Sequence, residues 1–124
     1  MSDVAAQLGQ ARRSLRSGHV LLADGDPNGA VNRIYYALYH AATAALLRLG
    51  ESVPKTHSGL IARFGAAVVS TGSLAPELGR LINEVEQLRL AADYLGDEIE
   101  SATVVPLIAG AESFIAAIEH LVAN

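Results

Sequence analysis

A chain of 124 residues, 51% of them hydrophobic, can bury one compact core and is too short for two ordinary domains. The absence of cysteine excludes disulfides and thiolate metal sites, and two phenylalanines with no tryptophan leave a core of Ala, Leu, Val and Ile that suits close-packed helices better than a sheet. A net charge of −4 argues against a nonspecific nucleic-acid coat.

The charge is unevenly spread. Residues 1–63 carry seven Lys and Arg against four acids, and residues 64–124 carry two against nine. A basic half can meet phosphate while the acidic half faces elsewhere, although an unevenly charged solvated surface fits the same numbers. The N-terminal MSDVAAQLGQ has neither a basic lead nor an apolar core, and the longest apolar run, residues 34–47, contains His40 and is short for a bilayer. A cytoplasmic protein with no membrane anchor is expected.

Val4, Leu8, Ala11, Leu15 and Leu22 keep a helical rhythm, predicting a first helix over about residues 3–23 with His19 on its apolar stripe. DGDPNG ends it. Asp26 as cap and Pro27 in the first turn open a second helix, which Gly50 closes, so it covers about 27–49. Thr56 or Ser58 caps a third, about 57–70, ended by Thr71-Gly72. Pro76 opens a fourth, whose buried face is Leu78, Leu81, Ile82, Val85, Leu88, Ala92 and Leu95, and Gly96 stops it. The last starts near Ser101 or Thr103 and runs to the end; Pro106 fits the first turn in the second case and lies inside the helix in the first. The fold class is all-α: a single domain over residues 1–124, an antiparallel bundle of about five helices with a four-helix up-and-down core.

The second helix has two faces. Val31, Ile34, Leu38, Ala41, Ala42, Ala45 and Leu49 cluster toward the bundle, while Arg33, Ala37, His40, Ala44 and Leu47 form another stripe turned roughly 120° away. Small alanines beside a cation and an imidazole suit a surface where two copies meet around a polar centre. Arg33 and His40 lie two turns apart, too far for joint metal ligation but suited to a phosphodiester, where a guanidinium grips phosphate and an imidazole moves a proton. No metal site or cofactor is indicated. Asn32 and Tyr36 flank the stripe, placed to orient the histidine or bind substrate. On spacing alone, a satisfied histidine and a surface arginine account for the same pattern.

His57, beside Lys55 at the head of the third helix, can bind phosphate through free amides or serve in a cap. Arg89 and Asp93 read as an intrahelical pair, and Tyr94 as a buried ring.

GDPNGAVNRIYYALYHAATAALLRLG, followed by PKTHSGLIARF, STGSLAPELGRL and LRLAADY, resembles the small stand-alone prokaryotic members of the HEPN domain family over nearly the whole chain. The resemblance implies a bundle that forms a homodimer along the motif helices. It also implies metal-independent endoribonuclease activity of toxin type, restrained by a minimal nucleotidyltransferase antitoxin. By position Arg33 and His40 become the catalytic pair, with Asn32, Tyr36, Tyr39, Lys55 and His57 as substrate-binding candidates on RNA. Where several family toxins place a polar residue directly after the arginine, Ile34 stands here. Where the adenylylated toxins have a tyrosine two residues beyond the histidine, Ala42 stands here; Tyr36 and Tyr39 are nearby substitutes or packing residues. A non-catalytic module that binds a nucleotide or docks a nucleotidyltransferase is the alternative reading, and a structural dimer without ligand is a third.

Overall fold

In the computed structural model, which describes residues 2–123, α1 spans Ser2–Ala23, α2 Pro27–Arg48, α3 His57–Phe64, α4 Pro76–Tyr94 and α5 Ser101–Ala123. Residues 1 and 124 of the expected domain lie outside the described residues. There is no strand among the described residues, and the architecture is the expected all-α bundle. The Asp26 carboxylate accepts the Gly29 N–H at 2.9 Å, and Pro27 occupies the first helical position, where no amide hydrogen is needed. Thr56, not Ser58, caps α3 by accepting the Gly59 N–H at 3.0 Å. Gly25 and Gly50 turn the chain at φ 81° and 74°, a region that a Cβ disfavours.

α3 does not continue as an α-helix to residue 70. At Gly65–Val69 the winding widens into a π-helical turn, closed by the Ser70 N–H donating to the Gly65 carbonyl at 2.8 Å. Leu60, Phe64 and Val68 stay fully buried along this segment, and Phe64 stacks on Phe114 of α5 with ring centroids 5.4 Å apart.

α2 is the central helix and packs on all the others, whereas α1 and α4 do not touch and so flank the α2–α5 pair from opposite sides. Gln7 meets His40 and Gly18 meets Arg33, which makes α1 antiparallel to α2. Asn28 meets Asp97 and Ile99 while Arg48 reaches the Val122 carbonyl, so α5 runs parallel to α2 and α4 antiparallel to it. Six alanines of α2, at 30, 37, 41, 42, 44 and 45, are fully buried, and their small side chains let the neighbouring helices approach closely.

The expected burial is wrong at several helix ends. Tyr94 and Leu95 are each 76% exposed, because α4 ends there and Gly96 turns the chain away at φ 71°. Leu49 caps α2 from an exposed position, and His19 is exposed on α1 rather than packed on its apolar stripe. Pro106 lies inside α5, which starts at Ser101, and it sits on the exposed side where its missing amide disturbs no buried bond. By length and composition α5 is apolar enough to cross a membrane. Here it carries Val104, Leu107, Ala111, Phe114, Ile115 and Ile118 into the core. It is also fastened to α1 by Arg12, whose guanidinium binds Glu119 through two nitrogens at 2.6 and 3.0 Å and Glu112 at 2.6 Å. That hydrogen bond to Arg12 lowers the Glu119 carboxyl below its ordinary value.

Asn28 holds the α4–α5 connection against the start of α2. Its Nδ2 donates to the Asp97 carbonyl at 2.8 Å and its Oδ1 accepts the Ile99 N–H at 2.9 Å. Asn28→Ala removes both bonds and strands the Ile99 amide, so a loss of about 1–3 kcal/mol is expected, read as a lower urea midpoint at unchanged slope. An unmoved midpoint would mean that Ile99 packing alone secures this loop.

Candidate functional site

Arg33 and His40 stand two turns apart on α2, roughly 10 Å along its axis, and both are half-buried. The alanines of their stripe do not wait for a second copy. Ala37 and Ala44 are fully buried within the chain, and α1 crosses this face at Gly18. A Cβ at Gly18 would stand 3.4 Å from Ile34 Cγ1 and 3.7 Å from the Cβ of Arg33, ordinary packing distances that mark the two helices as in direct contact here. The close approach expected between subunits is made by α1 of the same chain, which leaves Arg33 and His40 at the edge of the α1–α2 seam.

His40 Nδ1 lies 2.7 Å from Oε1 of Gln7 on α1. An amide oxygen can only accept, so Nδ1 carries the hydrogen and Nε2 keeps its lone pair. The Tyr39 ring meets the imidazole edge-on at 5.6 Å. Burial first, then the charges of Arg33 and Arg13, hold His40 below the ordinary imidazole value, so the ring is neutral at pH 7. Arg33 donates through Nε and Nη2 to Oδ1 of Asn32 at 3.1 and 2.9 Å, and its guanidinium lies 5.2 Å from the centre of the Tyr36 ring. Asn32 therefore orients the arginine rather than the histidine.

On the other side of Tyr36 lies a second polar group. Arg89 of α4 is only 7% exposed and its guanidinium stacks over Tyr35 at 4.7 Å. Its Nε donates to Glu86 at 2.8 Å and its Nη1 to Asp93 at 3.3 Å. Burial opposes the Arg89 charge, but the hydrogen bond and charge of Glu86 outweigh it and raise the guanidinium above its ordinary value. Arg89 Nη2 also approaches Nδ1 of His57 at 3.4 Å, and Glu86 lies 3.8 Å from the same nitrogen. The His57 ring is not part of the α3 cap. It packs among Tyr35, Tyr36 and Tyr39 with centroids 5.4, 5.9 and 5.2 Å away.

Arg33, Asn32, Tyr36, Tyr39, His40 and His57 thus share one contiguous patch. Lys55 is exposed in the loop before α3 and makes no ion pair among the described residues. No cluster of three His, Asp or Glu able to hold a metal ion occurs among the described residues. Gln7, Arg13 and Glu86 are the participants that spacing could not nominate. Gln7 is 33 positions from His40 on another helix, while Glu86 had one visible signal, its i,i+3 relation to Arg89.

These features define a class: an all-α bundle whose central helix presents an arginine, six intervening residues and a histidine beside a tyrosine cluster. The family model described as HEPN domain matches residues 4–121, and the chain belongs to the HEPN domain family. It is similar to a Thermotoga maritima protein named UPF0332, 41% identical over 91% of this chain and 86% of that protein. It is also similar to two Methanocaldococcus jannaschii proteins named as candidate toxins. One is 33% identical over 91% of this chain and 84% of its own length, the other 36% identical over 68% and 57%.

Proposed function

We propose that this chain is a metal-independent endoribonuclease of toxin type that cuts RNA at Arg33 and His40, with two copies contributing to one site. The observation that carries this reading is the 2.7 Å Gln7–His40 contact, which leaves a neutral imidazole with its Nε2 lone pair available, beside the guanidiniums of Arg33 and Arg13, which make no ion pair among the described residues. Nε2 takes the proton of a ribose 2′-hydroxyl, whose oxygen attacks the neighbouring phosphorus. The P–O5′ bond breaks, leaving a 2′,3′-cyclic phosphate and a 5′-oxygen that must receive a proton. One imidazole cannot be base and acid in the same event, so His40 of a second copy, protonated, supplies that proton. Arg33 from each copy stabilises the charged pentacoordinate phosphorus.

The relatives named as candidate toxins support the toxin reading, and with it an antitoxin partner, for which a minimal nucleotidyltransferase is the proposed class. The test is direct. Protein stripped of metal and incubated with single-stranded RNA in EDTA should yield fragments ending in cyclic phosphate and beginning with a 5′-hydroxyl. Intact RNA together with a raised melting temperature on adding nucleotide would transfer the site to the non-catalytic binding reading instead.

A further inference from the structure

Arg12, Arg63, Arg80 and Arg89 each bind a carboxylate, and Arg48 donates to the Val122 carbonyl. Arg13, Arg16 and Arg33 make no ion pair among the described residues, and all three line one groove between α1 and α2, a cavity of about 690 Å³ shared with Ser17, Val20 and Leu21. Arg13 and Arg16 are one turn apart on α1, and Arg33 faces them from α2. Three cations line the groove and no carboxylate does, so an anion entering it meets positive charge without a competing acid. Val20, 66% exposed, gives the groove an apolar wall beside the guanidiniums, a combination that suits a nucleotide, whose base covers apolar surface while its phosphate takes the charge. His40 itself does not line the groove, but it lies two turns beyond Arg33 on α2, and Arg33 and Arg13, which do line it, are the cations that act on the imidazole.

We propose that this α1–α2 groove is the entry track for a single RNA strand, with Arg13, Arg16 and Arg33 on successive phosphates and Val20 and Leu21 against a base, so that the next linkage lies at His40. The ligand's identity rests on the ribonuclease reading. The experiment is a fluorescence-anisotropy titration of a labelled 2′-O-methyl oligoribonucleotide, which cannot be cut, at several KCl concentrations. Its three proteins are the wild type, Arg13→Gln/Arg16→Gln and, as a charge control outside the groove, Arg80→Gln, whose ordinary role is an exposed pair with Glu77.

The double variant should bind at least tenfold more weakly at low salt, with a log–log salt slope shallower by about 1.4, while Arg80→Gln binds like the wild type. No binding by the wild type, or a double variant that matches the control, overturns the track. So does a double variant that falls apart to monomers in sedimentation, which would assign the two arginines to contact between copies. Displacement of the oligonucleotide by polyglutamate as readily as by unlabelled RNA of equal charge overturns it in favour of an acidic polypeptide. Parallel incubation of the wild type with unmodified RNA in EDTA separates the two ideas. Binding without cutting ends the ribonuclease reading alone, and cutting with undiminished binding by the double variant ends the track alone.

Discussion

His40→Ala is expected to lower metal-free RNA cleavage by at least about a hundredfold while the folded protein persists, with a stability change within about 1 kcal/mol. The side chain is half-buried at the α1–α2 seam, and among the described residues it hydrogen-bonds only Gln7, so its loss leaves no sealed charge and only a small void. Added imidazole should restore part of the rate in this variant, because the gap it leaves opens to solvent; a merely structural histidine would give no such rescue. Gln7→Leu should cost less, on the order of tenfold, since it releases the tautomer without removing the base. An undiminished cut rate in purified His40→Ala would remove the proposed chemistry.

The same residue yields a pH expectation whose sign follows from its surroundings. Burial, Arg33 and Arg13 all disfavour the imidazolium, so His40 in the free protein should titrate below the ordinary value near 6.5 when followed by NMR. Arg33→Gln or Arg13→Gln removes a repelling cation and must move that midpoint upward. A bound oligonucleotide does the same by neutralising both arginines, which brings the imidazole toward the pH at which one copy can hold a proton while the other lacks it. A midpoint that falls when either arginine is removed would contradict the geometry around the ring.

Helix positions were legible because the signals are local: Asp26 with Pro27, Thr56, and Pro76 each satisfy or spare backbone amides within their own turn. Periodicity also showed that α2 has two covered faces. It could not say by what, since Ala37 and Ala44 would look the same beneath α1 or beneath a second copy. The candidate pair on α2 was visible for the same local reason, seven positions on one helix face. Its environment was not, because Gln7 and Arg13 reach it through tertiary packing. The interior of α4 was legible in part: Ile82 and Val85 are buried as expected and Arg89 pairs with Asp93, but the inward position of two charged residues was not visible. Glu86 and Arg89 lie on the inward side but count as polar in any hydropathy reading, whereas Tyr94 and Leu95 count as apolar and fall beyond the last packed turn. The π-helical turn after Phe64 has no counterpart in residue spacing.

Arg89 carries the largest stability expectation. Its side chain is 9% exposed and that of Glu86 10%, so each charge is tolerable only because the other is there, 2.8 Å away, with Asp93 and the Tyr35 ring completing the guanidinium's surroundings. Arg89→Leu leaves the Glu86 carboxylate inside the bundle without its cation, and a loss of about 3–5 kcal/mol is expected, on the order of 10–20 °C in Tm for a chain of this size. Glu86→Gln should be milder, because the amide oxygen still accepts from Nε and Asp93 still balances the arginine. The informative variant is the pair Arg89→Leu/Glu86→Leu, in which neither charge remains. If desolvated charge rather than lost packing is what makes Arg89→Leu costly, the pair recovers roughly half or more of the single-variant loss. A double variant whose loss equals the sum of the singles would show instead that Arg89 acts mainly as a lid over Tyr35 and Tyr36. In that case Tyr36 would loosen beneath Arg33 as well, and the stability defect and a fall in cleavage would appear together.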